Sequence, residues 1–382
     1  MECNSMFRDA SGTSWQPDST PMEGIHHMYD PWMTMWHGYV DAIYNHQGGD
    51  RGDDKIYSAS MGMFMTQREM SNGTFGFHSM ISLEPLMGKE GYPLLLQTGE
   101  TADGVTPLID RQHPHDLFME LAVTYSINIS DESSVFGYVG LPGEPVLGPP
   151  AFMHRASGVD IPDAPVTHHW MDSTHITYGV LTAGYIWKNM KVEASGFRGR
   201  EPDQSRWDIE APAIDSYSFR GSYNPTENWA LQVSYGRIHS PEQLEPEVDV
   251  KRTTASLIYN KPFSDGNWAT TFAWGLNENT PGKQLGAFLL ESELRLHDMH
   301  TFFGRTERVQ KDELFPDGDP LEGEKFTVNK FSVGYIFDIP AKDYLQWGLG
   351  GEYSIDVLPD DLDDAYGKTP ESYLVFIRAK LI

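Results

Sequence analysis

The sequence predicts an all-β fold: a transmembrane antiparallel β-barrel of about sixteen strands, with long extracellular loops folding toward the lumen. Three observations predict it. First, Leu117, Met119, Leu121, Val123, Tyr125, Ile127 and Ile129 alternate with Phe118, Glu120, Ala122, Thr124, Ser126 and Asn128, the two-residue period of a strand. At about 3.3 Å per residue this run reaches roughly 40 Å, far longer than a common strand. Second, such two-faced segments recur along the chain, separated in turn by short and long connections, the rhythm of a closed bilayer barrel. Third, charged residues within the segments keep to one parity.

Bulk composition agrees. A chain of 382 residues could hold several soluble domains or one large barrel. With 39% hydrophobic residues and a mean hydropathy of -0.44, nothing approaches the run of about 20 apolar residues of a membrane helix. The 10 Trp, 18 Tyr and 19 Phe supply material for aromatic girdles at the bilayer surfaces. A net charge of -27 excludes nucleic acid as a partner and favours small cations. The lone Cys3 excludes an internal disulfide framework. No apolar run precedes Cys3 and Met1 is followed by polar residues, so on the barrel reading the secretion signal has been removed or lies outside this sequence.

The sixteen expected strands cover residues 32–44, 56–67, 73–83, 116–130, 134–141, 175–187, 190–198, 216–223, 229–237, 252–260, 268–276, 286–296, 299–308, 326–338, 344–355 and 372–382. Trp268, Thr270, Phe272 and Trp274 oppose Ala269, Thr271, Ala273 and Gly275, and Leu345, Trp347, Leu349 and Tyr353 oppose Gln346, Gly348, Gly350 and Glu352. Short turns carry turn-forming residues, as in Ser71-Asn72-Gly73, Lys188-Asn189 and Ser264-Asp265-Gly266. Longer loops fall near 45–55, 84–115, 142–174, 199–215, 239–251, 277–285, 309–325 and 356–370. This asymmetry puts both termini on the periplasmic side, with residues 1–31 as a periplasmic or lumen-plugging segment and 32–382 as the barrel. A soluble protein of several sandwich domains would need linkers or a repeat, and neither is visible.

On the inward parity fall Glu120, Lys191, Glu193, Arg220, Glu291, Glu293, Arg295, Arg305, Glu307, Glu352, Arg378 and Lys380. A mid-bilayer Arg or Lys facing lipid would cost about 2–4 kcal/mol, so a salt-bridged inner wall is the less costly arrangement.

The methionines concentrate in the first third of the chain, from Met1 and Met6 to Met119. The parity that points Asp41 inward also points Met33, Met35, His37 and Tyr39 inward. In the third strand it leaves His78, Met80 and Glu84 inside, and one parity of the second sends Met61, Met63 and Met65 with them. Thioethers suit Cu(I) or Ag(I), and imidazole suits Cu(II) and Zn(II) as well. The resulting strip is a candidate copper site, joined by His26-His27-Met28 if that segment enters the lumen. The alternative is a packing strip of flexible gap-fillers against an N-terminal plug.

A second cluster lies in the two longest loops: Asp110, Arg111, His113, His115 and Asp116 in the first, and His154, His168, His169, Asp172 and His175 in the second. His113 and His115 point the same way in an extended segment, and His169 and His175 join them only through folding. No spacing matches a known zinc motif, so either a metal or ligand site or a hydrogen-bonded loop core is expected. Asp172, Ser173 and His175 superficially offer acid, nucleophile and base, but near neighbours in one strand give no triad geometry and no nucleophile elbow is present.

Several stretches resemble an uncharacterised family of Gram-negative outer-membrane β-barrel proteins: Gly12 through Pro17, Leu94 through Glu100, Asp110 through Glu120, His168 through Ile176, and Gly199 through Asp203. The resemblance implies a surface or lumen structure built from those loops and no catalytic residues. A looser resemblance is to copper-resistance outer-membrane proteins, although Met and His here are scattered rather than set in tandem motifs. The chain also closes on Leu381-Ile382 rather than on Phe.

These readings converge on a bacterial outer-membrane porin-like channel or binding protein for small cations, copper among them, with no other cofactor required. Its expected partners are outer-membrane lipid, small cations, and a second copy or another outer-membrane protein. The alternative is a plugged barrel whose loops recognise a partner without transport; an outer-membrane hydrolase is the remote third reading, and the chain is not expected to be an enzyme.

Overall fold

Two-faced strands must bury one face and leave no unpaired edge in a bilayer, and closure into a barrel meets both demands. The computed structural model describes residues 8–382, so Met1, Cys3 and Met6 lie outside the described residues. The strands are β1 (Ile25–Tyr29), β2 (Trp32–His46), β3 (Asp54–Met70), β4 (Gly73–Ile81), β5 (Tyr92–Thr101), β6 (Pro107–Gln112), β7 (Phe118–Ser130), β8 (Ser133–Gly140) and β9 (Val180–Trp187). There follow β10 (Met190–Phe197), β11 (Ser216–Thr226), β12 (Trp229–His239), β13 (Asp249–Phe263) and β14 (Gly266–Thr280). The last five are β15 (Gln284–Leu296), β16 (His300–Lys311), β17 (Phe326–Lys342), β18 (Leu345–Val357) and β19 (Glu371–Leu381).

All but β1, β5 and β6 are barrel staves, sixteen in antiparallel sequence, and β19 closes on β2 from Tyr373 opposite His46 to Lys380 opposite Tyr39. Each expected strand is present. Several run longer than the sequence indicates, so the loop expected at 277–285 shrinks to the three residues between Thr280 and Gln284. The latest start relative to expectation is that of β9, which begins at Val180 rather than residue 175. Ile176, Thr177 and Tyr178 are buried inside the barrel and Thr177 bridges to Gly143 instead of joining the wall.

The alternation in β7 also breaks once. Register shifts between Met80 and Ile81, which face Glu120 and Phe118, so Met119 is the extra residue of a bulge and is fully buried instead of facing outward. Strand β1 is an addition. It pairs with Trp32 to Trp36 of β2, on the same edge as β19 and just beyond its end, prolonging the seam at the tight-turn end.

The outer surface is apolar where the staves are exposed: Val40, Val192, Val233, Phe272, Leu290, Val333 and Ile377 all face outward. Near the tight turns Trp229, Tyr259 and Trp268 pack across neighbouring staves, tilted and edge-to-face, with ring centroids 4.6 and 5.5 Å apart. At the loop end Tyr44 and Tyr373 form a matching pair. Aromatic rings at the two rims of an apolar belt are the signature of a bilayer-spanning barrel.

The inner surface is charged, and it is covered. Hairpin β5–β6 is buried throughout β5, and the segment 141–179 also folds into the lumen. Arg155 reaches Glu291 at 2.6 Å. Asp160 meets Arg378 at 2.5 Å, Lys380 at 3.1 Å and Arg295 at 3.0 Å. Asp163 meets Arg305 at 3.2 Å and Lys330 at 2.9 Å. Residues 8–24 also run along the inner wall: Lys191 donates to the Thr13 carbonyl, Asn224 to that of Gln16 at 2.9 Å, and Asn260 to that of Ser19 at 2.8 Å.

Two outcomes follow from this division of surfaces. Val233 is 61% exposed on the outer wall, so Val233→Arg lowers stability in lipid by about 2–4 kcal/mol, measured by urea unfolding in vesicles. Removing one member of a buried ion pair costs about 3–5 kcal/mol. The double variant Asp160→Asn/Asp163→Asn therefore loosens segment 141–179, seen as new protease cleavage there and a rise in bilayer conductance. Unchanged cleavage and conductance would show that these pairs do not hold the segment.

Candidate functional site

Strand register assembles the methionine strip. On the inner face Met35 lies opposite Met65, which lies opposite His78; one step higher His37 lies opposite Met63, then Met80, then Glu120. On the other edge of β2, Met28 pairs with Met33 and His26 with Met35. Thus Met33, Met35, His37, His78 and Met80 all share one inward patch, together with Met61, Met63 and Met65. The segment His26-His27-Met28 does not enter the lumen. It extends the strip to the mouth, where His26 and Met28 are exposed, while His27 takes the opposite face because it belongs to a strand.

Against this patch sits a cavity of about 100 Å³, lined by Met22, Met35, Met63, Met65, Met153, His37 and His154 among others. His154 Nε2 lies 3.2 Å from the Met80 sulfur. His37 Nδ1 is buried without a hydrogen-bond partner among the described residues. Glu120 accepts from Tyr138 at 2.8 Å and lies 3.8 Å from His78. Burial pushes His154 down to about 4, so its ring is neutral at neutral pH.

The loop histidines converge as well. His113 and His169 have ring centroids 6.1 Å apart, His115 and His175 5.3 Å, and His168 lies 5.1 Å from His175 and 5.5 Å from His169. His168 belongs to a single helical turn, α1 (His168–Met171), and His175 to the 3₁₀ turn Ser173–His175 that follows, not to a strand. Several Nδ1 atoms are held by acceptors: His115 by Glu84 at 2.8 Å, His168 by Asp172 at 2.7 Å, His175 by the Asp172 carbonyl at 2.8 Å, and His113 by the Pro114 carbonyl at 3.2 Å. A proton on Nδ1 leaves the Nε2 lone pair free, the arrangement found in metal-ligating histidines. Nε2 of His113, His169 and His175 is buried without a partner among the described residues.

One acidic residue that spacing alone could not single out completes this cluster. A ring nitrogen of His113, one of His169 and a carboxylate oxygen of Glu201 all lie within 4.8 Å of one another. Three loops supply them, so no local spacing records the set; its trace in the sequence is that each member lies within one of the motifs quoted above. Burial, then Arg206, drives His113 well below the usual imidazole range. Burial drives His169 down to about 3. The Glu201 carboxyl, although buried, is held low beside the His169 ring and Glu100. Burial raises Glu100 well above the carboxylate range, although Arg206 lies 2.9 Å away. Gly99 is the other missed element: a Cβ there would sit 2.2 Å from Cε1 of His169, and its φ of 107° also favours glycine.

The Asp172–Ser173–His175 grouping has other partners. The Asp172 carboxylate is taken by Arg155 and His168, Ser173 Oγ accepts from Arg252 at 3.0 Å, and His175 Nδ1 faces a carbonyl.

No known protein family and no curated protein sequence matches the chain. Solved structures do. OmpF of Salmonella typhi in complex with daunomycin aligns at TM-score 0.54 and 10% identity over 94% of this chain and 100% of its own. The outer-membrane channel DcaP of Acinetobacter baumannii gives 0.53 and 11% over 94% and 99%. An anion-selective porin of Comamonas acidovorans gives 0.52 and 10% over 92% and 100%. The chain is thus a closed sixteen-stranded barrel of porin type, and with its apolar belt its place is the bacterial outer membrane.

The histidine cluster predicts a pH dependence of stability. Folded His113 and His169 stay neutral where their unfolded counterparts, near 6.5, take up protons. Stability is unaffected by them above about pH 6.5 and is lost as pH falls below it, down toward about 3 for His169. His169→Gln therefore flattens the acid limb of thermal unfolding measured against pH; an equally steep limb would show that this ring does not titrate with unfolding.

Proposed function

We propose that this barrel binds small soft cations, copper in the Cu(I) state above all, and hands them along its inner wall. The observation that carries the reading is the in-register ladder of Met28–Met33, His26–Met35–Met65–His78 and His37–Met63–Met80, with a Met- and His-lined cavity beside it. Transfer along a wall needs several exchangeable ligands rather than one tight cage, and neighbouring thioethers and imidazoles offer that. The negative net charge would concentrate cations at the barrel. The resemblance to copper-resistance outer-membrane proteins points the same way. On this reading residues 8–24 act as a plug within the barrel of 32–382 while β1 extends its rim, and the filled lumen makes passage selective instead of open.

The covered lumen also favours a second reading, in which the barrel is closed and its loops recognise a partner. Silver(I), a redox-inert stand-in for Cu(I), separates the two. Purified barrel titrated with Ag(I) in detergent is expected to bind it, and the triple variant Met35→Leu/Met63→Leu/Met80→Leu, which conserves side-chain volume, to bind more than tenfold more weakly. Equal binding by the variant would eliminate the strip as a cation site, and vesicles that bind Ag(I) but never release it inward would favour the closed barrel.

A further inference from the structure

We propose that His113, His169 and Glu201 form a site for one divalent transition-metal ion of intermediate hardness, of the Zn(II), Co(II) or Cu(II) class, separate from the methionine strip. Two imidazoles and a carboxylate from three loops already stand with donor atoms within 4.8 Å of one another. Donors of a tetrahedral ion at about 2.0–2.1 Å are separated by roughly 3.3 Å, so closing the set needs only small side-chain rotations. Nitrogen and oxygen donors with no sulfur select this class of ion over Cu(I).

The surroundings are those of a prepared site. Nε2 of both histidines is buried and unpartnered, and His169 is only 8% exposed, so each ring presents a desolvated nitrogen with no other partner among the described residues. His113 is oriented by the Pro114 carbonyl, and Arg206 anchors Glu100 on the neighbouring hairpin. Such outer partners fix ligand orientation and raise ligand basicity. Gly99 lets the backbone of hairpin β5–β6 lie flat against the His169 ring, closing one side. Three protein donors leave a fourth position open to water or a small anion.

The ligands also come from three different connections. His113 lies between β6 and β7, His169 between β8 and β9, and Glu201 between β10 and β11. An ion held there ties the three connections together, so binding stabilises the covered state of the barrel.

Co(II) added to the purified full-length barrel in detergent tests the site. One equivalent is expected to bind, giving visible ligand-field absorption, a raised Tm, and protection of segment 199–215 from protease. Glu201→Gln and His169→Gln, both near in size to the native residues, are expected to weaken binding on the order of tenfold or more. Gly99→Ala is expected to weaken it by displacing His169. The Met35→Leu/Met63→Leu/Met80→Leu variant is expected to bind Co(II) unchanged, so failure of the soft-cation reading leaves this site standing and the converse also holds. Absence of Co(II) binding, or binding that survives both Glu201→Gln and His169→Gln in folded protein, would overturn the proposal.

Discussion

The interior of this barrel depends on the guanidinium of Arg155. It is 1% exposed and bonds to both oxygens of Glu291 on β15, to Asp172 at 2.5 Å and to the Pro150 carbonyl at 2.9 Å. A buried cation without such partners would be prohibitively costly, and a planar fork that meets two carboxylates and a carbonyl together is satisfied in a single seating. That seating fixes two things. His154, one residue earlier, is set against Met80; Asp172, seventeen residues later, is aimed at His168. Arg155 thus adjoins His154 in the lining of the methionine cavity and, through Asp172, holds His168, the chain neighbour of His169.

The same logic repeats with opposite sign at Asp160 and Asp163, which carry negative charge from the loop to Arg378, Lys380, Arg305 and Lys330 on the wall. A sixteen-stranded barrel leaves an interior too wide for its own side chains to fill. Here inserted chain covers the wall, and wall and loop are charged in complementary places. The overall charge of -27 hides this balance, because the inner surface pairs its charges locally.

Most of the barrel was legible because one face of each stave meets lipid. That forces strict alternation, as in Val123, Tyr125 and Ile127 against Thr124 and Ser126, and the charged positions then mark the other face. Legibility failed where both faces are buried. Hairpin β5–β6 contains Leu94-Leu95-Leu96 with no alternation, and Leu96 and Glu100 adopt positive φ, so it reads as loop although it is paired chain inside the lumen. It failed too at Met119, where a bulge turns an apolar-face residue inward. The methionine strip was readable from parity because β2, β3 and β4 are neighbours both in sequence and in space. The His113–His169–Glu201 set was not, because its members are brought together by three separate loops whose paths no local period encodes.

The two sites divide ligand chemistry within one lumen. Sulfur and imidazole line the wall of β2 to β4, while imidazole and carboxylate gather among the loops. Between them stands Phe152, whose ring lies 6.1 Å from His115, 5.3 Å from His168 and 6.3 Å from His175, on the same 3₁₀ turn as His154. An apolar ring at that junction offers no donor, so it separates a soft-ligand region from a harder one without a gap in packing. Because the turn Phe152–His154 runs directly into Arg155, the separator cannot shift without disturbing the guanidinium seating. One short stretch, Phe152 to Arg155, thus runs from the methionine cavity through the histidine cluster to the wall carboxylate of Glu291.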